Sequence, residues 1–207
     1  MILRDTTIKN DRELWKEFKG GCEQTFSYIF HKHYSFLYNY GSKLTSDKDL
    51  IKDSIQELFI ILWESRSRLG DTMSIKFYLL KSFRRHVIRT LTAQNKHVDR
   101  SHLLENYHFE LVSSYERELI ESQSCLEQQE HLRQALSKLS PRQKEVVYLK
   151  FYENMSYHEI TELTSLNYQS VRNYIHQAIQ ALRRKRNLLI EYVPAVAILF
   201  CILGGYR

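Results

Sequence analysis

The sequence predicts an all-α fold of two small helical domains joined by a linker, and three observations lead there. Glycine and proline number 6 and 2 in 207 residues, too few for the tight turns of sheets and phosphate-cradling loops. Apolar residues recur at helical spacing in both halves of the chain. Between the halves, residues 98–124 lose that periodicity and turn acidic, which places the domain boundary there. A hydrophobic content of 43% supports real cores and excludes wholesale disorder, and a charged content of 26% excludes a multi-span membrane protein. The expected layout is a first domain over 1–97, a linker over 98–124, a second domain over 125–187 and an apolar tail over 188–207.

Two helices are expected from Glu13 to Leu44, where Leu14, Phe18, Phe26, Ile29, Phe30, His33, Phe36, Leu37 and Tyr40 follow helical spacing, with breaks at Gly20-Gly21 and at Gly41. Ser46 is the expected N-cap of the next helix, with Asp49 in its first turn. Its core stripe is Ile51, Ile55, Leu58 and Leu62. The opposite face gathers Asp53, Gln56, Glu57 and Ile60 with Trp63 close by, a mixed acidic, amide and apolar surface suited to gripping another protein; a solvated face fits the periodicity equally. Over residues 75–92, Leu79, Phe83, Val87 and Leu91 form a buried stripe. Lys81, Arg85 and Arg89 share another face, flanked by Tyr78, Arg84, His86 and Lys96. Basic side chains neutralise phosphates and aromatics stack on unpaired bases, so this helix suits nucleic acid, with a solvated basic face as the plainer alternative.

In the second half, Ser140-Pro141-Arg142-Gln143 reads as a capping box with Pro at the first helical position, opening a helix through Val146, Val147, Leu149 and Phe151. Ser156 to Glu159 is a second box, starting a short helix with Ile160 and Leu163 inward. After a turn at Thr164-Ser165-Leu166, Asn167 caps a longer helix in which Val171, Tyr174, Ile175, Ala178 and Leu182 face the core. A short helix, a tight turn and a longer amphipathic helix make a helix-turn-helix. In that geometry Tyr168, Gln169, Ser170, Arg172, Asn173 and His176 meet base edges and phosphates in the major groove, and Arg183, Arg184, Lys185 and Arg186 add contacts to the DNA backbone.

The charge pattern points the same way. Residues 76–100 hold 7 basic and 1 acidic side chains, residues 101–135 hold 2 and 7, and residues 136–207 hold 10 and 5, whereas residues 1–75 balance at 11 each. Two basic blocks around an acidic one suggest two polyanion-facing surfaces. No catalytic constellation or metal site is expected. The 9 histidines include a single close pair, His31 and His33, the three cysteines are far apart, and neither a nucleophile elbow nor a Gly-rich nucleotide loop occurs. No cofactor and no small-molecule substrate are expected. The charged N-terminus carries no apolar export segment, so a cytoplasmic location is expected.

Asp53-Ser-Ile-Gln-Glu-Leu-Phe-Ile-Ile-Leu-Trp63 resembles the D-x-x-Q-D/E-x-F-x-x-L/V-W signature in region 2 of bacterial sigma factors of the sigma-70 superfamily, in the small two-domain extracytoplasmic-function class. Leu139 to Val147, Met155 to Ile160 and Ser170 to Ala178 resemble region 4. The resemblance covers about residues 22–186. It implies a dissociable subunit of core RNA polymerase that directs promoter-specific initiation. Asp53, Gln56, Glu57, Phe59 and Trp63 then match the helix that docks on the clamp of the largest subunit, residues 76–91 the part that opens and reads the minus-ten element, and residues 168–182 the reader of the minus-35 element. It also implies contact with the flap of the second-largest subunit, an acidic linker threading toward the RNA exit path, and an anti-sigma regulator. The Tyr-rich and Lys-rich style resembles Bacteroides-like members, whose regulator is membrane-bound.

The sequence departs from the family at three places: Arg85 stands where Asn is frequent, Arg89 where an acidic residue or Asn is frequent, and Ser165 in a turn that usually holds Gly. Residues 193–205 form a run of 13 apolar residues, short of the ~17 to 25 of a spanning helix, and are expected to pack on region 4 or a partner, with weak membrane association or a disordered tail as the alternatives. The competing functional reading is a stand-alone helix-turn-helix regulator that binds duplex operator DNA without polymerase.

Overall fold

A computed structural model describes residues 10–94, 108–111 and 137–186, with side chains in the last helix described through Gln180. Two compact units divide the chain at Val98 and Asp99. All regular structure among the described residues is helical. The 188–207 tail and most of the acidic segment lie outside the described residues.

The first unit opens with α1 (Asp11–Lys19), which Asn10 and Glu13 cap reciprocally in a capping box. Gly20 and Gly21 end it, Gly21 at φ 88°, a backbone angle that excludes most side chains. Next comes α2 (Glu23–Leu44), which runs straight through Gly41. The break expected there is absent for a packing reason: a Cβ at Gly41 would lie 2.8 Å from Ile51 Cγ2 and 3.1 Å from Phe83 Cζ, so the missing side chain is what lets α2 close on its two neighbours. The third helix, α3 (Lys48–Ser65), is capped by Asp47 rather than by Ser46, because the Asp47 carboxylate accepts from the amides of Asp49 and Leu50 at 3.1 and 3.0 Å. A 3-10 turn at Arg66–Arg68 leads to α4 (Ile75–Gln94).

The α3 stripe Ile51, Ile55, Leu58 and Leu62 is buried, and so are Leu79, Phe83 and Val87 of α4, while Leu91 is half-buried. With Trp15, Phe18, Ile29, Leu37 and Tyr40 they form one core, each apolar side chain contributing roughly 1.5–3 kcal/mol through burial. Polar ties also fix α1 on this core. Trp15 Nε1 donates to the Gly70 carbonyl at 2.9 Å, and the Asp11 carboxylate accepts from the Ile75 amide at 2.9 Å, capping α4 from another helix. His33 is buried on α2, and desolvation, with the nearby Lys32 and Lys76 charges, pulls its imidazole from 6.5 down to about 4.

In the second unit, Phe109 and Leu111 are buried although they fall within residues 98–124, and the Phe109 ring centre lies 5.8 Å from that of Tyr148. Helix α5 (Pro141–Val147) starts at the predicted Ser140 and Gln143 capping box with Pro at its first position. It was expected to run through Phe151; instead it widens to a π-helical turn over Tyr148–Tyr152. The extra residue keeps Tyr148 and Leu149 inward while the Tyr148 hydroxyl donates to Glu153 at 2.7 Å. Helix α6 (Tyr157–Thr164) carries the second predicted box, Ser156 with Glu159. Ser165 then adopts φ 59° and ψ 22°, the left-handed turn in which Gly is usual. Asn167 caps α7 (Tyr168–Arg186) by accepting from the Ser170 amide at 2.7 Å.

Candidate functional site

Three surfaces carry the residues singled out from the sequence. On α3, burying Ile51, Ile55, Leu58 and Leu62 turns Asp53, Gln56, Glu57 and Ile60 outward, and all four are exposed. Ile60 and Ile61 keep 49% and 48% of their surface in water, an apolar exposure that folding alone does not explain. Phe59 differs from its neighbours: it is buried, with ring centres of Phe26 and Phe30 at 5.9 and 4.9 Å, so it floors the surface instead of projecting from it. Trp63 is half-buried, 4.9 Å from the Phe26 ring, with the Arg66 guanidinium over its face at 4.2 Å.

These aromatics outline a groove of about 580 Å³ between α2 and α3. Phe26, Phe30, Phe59, Ile60 and Trp63 line it, and Glu23, Gln56 and Glu64 edge it with polar and acidic groups. In the sequence Phe26 and Phe30 stand out only as part of the helical spacing of α2. Their half-burial shows that α2 supplies one wall of the site, which only the tertiary pairing of α2 with α3 reveals.

The α4 surface is smaller than the sequence suggests. Arg85 and Arg89 are exposed one turn apart, and Lys81 on the same row is half-buried. Arg84 was expected to flank that face and is buried instead, at 5% exposure, because it falls beside Phe83 and next to Leu80 and Val87 on the core side. The Tyr78 ring packs 5.0 Å from Trp15 and is half-buried. His86 Nε2 lies 3.3 Å from Glu57 Oε2 on α3.

On α7, Val171, Ile175 and Ala178 are buried, so Tyr168, Gln169, Arg172, Asn173 and His176 come out together on the opposite face, with Ser170 half-buried beside them. The Tyr168 ring lies tilted against that of Tyr157 on α6, centres 5.5 Å apart, and remains 57% exposed. Gln169 Nε2 donates to Asn173 Oδ1 at 3.2 Å, joining two amides that present donors and acceptors outward. Side-chain hydrogen bonds from α5 brace the motif: Gln143 donates to Gln177 in the middle of α7 at 2.6 Å, and Arg142 donates to the Thr164 carbonyl at the end of α6, just before the turn, at 3.3 Å. Helix α7 continues through Arg183 and Arg184, whose side chains lie outside the described residues. Among the described residues, no group of three or more His, Cys, Asp or Glu side chains is placed to hold a metal ion, and no helix is long and apolar enough to cross a membrane.

Comparison with known proteins matches two family models to the two units. Sigma-70 region 2 matches residues 29–97, and Sigma-70, region 4, matches residues 129–182. A curated relative, the ECF RNA polymerase sigma factor SigX of Bacillus subtilis, is 24% identical over 172 residues, covering 82% of this chain and 87% of its own. Two solved structures share the fold at 16% identity. CnrH, solved with the cytosolic domain of CnrY, has a TM-score of 0.55 over 87% of this chain and 99% of its own. The sigma factor RpoE from Bartonella quintana, solved with the anti-sigma factor NepR, has a TM-score of 0.54 over 81% and 98%. With region 2 matching the unit that carries the α3 signature and region 4 matching the unit that carries the helix-turn-helix, the chain belongs to the sigma-70 family of RNA polymerase sigma factors.

Proposed function

We propose a division of labour over the three surfaces of this sigma factor, which binds core RNA polymerase and directs promoter-specific initiation as a specificity subunit rather than as an enzyme. The outward face of α3 and the groove beside it, with Asp53, Gln56, Glu57, Ile60 and Trp63 at the surface and Phe59 beneath, dock on the clamp of the largest polymerase subunit. Arg85 and Arg89, with Lys81, attract the minus-ten strand, where their charge favours the phosphate backbone. Tyr168, Gln169, Arg172, Asn173 and His176 read the minus-35 element in the major groove, with Ser170, Arg183 and Arg184 at phosphates. The protein acts in the cytoplasm, where its polymerase and promoters are, and an anti-sigma protein restrains it; RpoE, solved with the anti-sigma factor NepR, supports that extension.

The observation that carries this reading is the exposure of Asp53, Gln56, Glu57 and Ile60 in a helix whose other face is fully committed to the core. Run-off transcription from genomic fragments by core polymerase lacking sigma tests the proposal. Added protein should yield discrete transcripts, and Ile60→Asp should abolish them while leaving the helical circular-dichroism signal intact. Discrete transcripts undiminished by Ile60→Asp would remove the α3 face from polymerase docking.

A further inference from the structure

Glu57 and His86 were singled out for unrelated reasons, one for a protein-gripping face on α3 and the other for a nucleic-acid face on α4. The fold brings Glu57 Oε2 and His86 Nε2 to 3.3 Å. The two side chains differ in freedom: that of His86 is 13% exposed and that of Glu57 is 56% exposed. A glutamate on an open helix face samples many rotamers, whereas a ring already ordered by packing offers it a fixed partner at little further entropic cost. Asp53, one helical turn earlier on the same face, adds like charge that works against an unpartnered Glu57 carboxylate. The same packing that orders the ring also withholds it from solvent, so phosphates and bases meet Arg85 and Arg89 first.

We propose that His86 is a positioning residue of the polymerase-docking face: it holds the Glu57 carboxylate in the direction in which the polymerase receives it, instead of touching promoter DNA. The inference rests on the assignment of α3 as the docking helix. Its consequence is that α4, the strand-reading helix, contributes to polymerase affinity through one side chain.

A double-mutant cycle on the full chain tests this, with Glu57→Ala, His86→Ala, the pair together, and His86→Gln as a replacement that keeps an N–H donor. Two readouts are needed: affinity for core polymerase by fluorescence anisotropy, and permanganate reactivity of minus-ten thymines at saturating core. His86→Ala and Glu57→Ala should each weaken core binding about 5- to 10-fold, the pair should be no weaker than the worse single variant, and His86→Gln should recover most of the loss. Thymine reactivity at saturating core should stay unchanged throughout. Intact core affinity with reduced thymine reactivity in His86→Ala would place the ring on DNA and overturn the inference, and so would two losses that multiply. Should Glu57→Ala bind core normally, the docking assignment of Glu57 fails and carries the inference with it. Should Glu57→Ala weaken binding while His86→Ala does not, the inference alone falls.

Discussion

Ser165 closes α6 at φ 59° and ψ 22°, where an L side chain crowds the following carbonyl at a cost of roughly 1–2 kcal/mol. A glycine there gives up about 0.5–1 kcal/mol through the greater freedom of its unfolded chain, so the relief exceeds the loss. Ser165→Gly is therefore expected to stabilise the second unit by about 0.5–1 kcal/mol, seen as a higher denaturant midpoint; a lower midpoint would mean that the serine contributes a contact outweighing its strain. His33 makes a different prediction. Its folded pKa of about 4 lies below the ordinary 6.5, so the unfolded chain takes up the proton first as pH falls. Stability should be full above pH 6.5, decline as pH drops from 6.5 toward 4, and lose no more to this residue below that. The loss should be on the order of 2 kcal/mol. Unfolding curves at a series of pH values for the native chain and for His33→Gln should differ in slope across that window; parallel slopes would show that the imidazole is solvated.

Among the elements, α7 is the one whose outward side chains are proposed to read DNA sequence. Arg172 is exposed on its first turns, and Arg172→Ala is expected to weaken recognition of the upstream promoter element by about 1–3 kcal/mol and to relax the preference at one base pair. A footprint and base preference identical to those of the native chain would assign Arg172 to a phosphate or to solvent. Helices of this kind were legible because their signals are local. The Ser140, Ser156 and Asn167 caps and the buried stripes of α3 and α4 need only a few neighbouring residues to declare themselves. What escaped depends on distant partners. Gly41 reads as a breaker until Ile51 and Phe83 are seen pressed against it. Arg84 reads as surface until its neighbours are known to be core, and the spacing of Phe26 and Phe30 does not reveal the groove they line until α3 is placed beside them. The Ser46 and Asp47 choice turned on helix register, since both residue types cap well.

At the scale of the whole molecule, the charge blocks and the two-unit division follow from composition, and the family signatures fall one in each unit. The functional claim needs both units in one chain. A docking helix without a DNA reader would only occupy polymerase, and a helix-turn-helix without a docking face would only occupy DNA. Binding of a labelled promoter fragment, taken from the strongest run-off product, to the full chain with and without core polymerase tests that claim most directly. The fragment should be bound weakly by the chain alone and tightly and sequence-specifically once core is present. Tight, specific binding by the chain alone, unaltered by core, would contradict the account and leave an operator-binding regulator in its place.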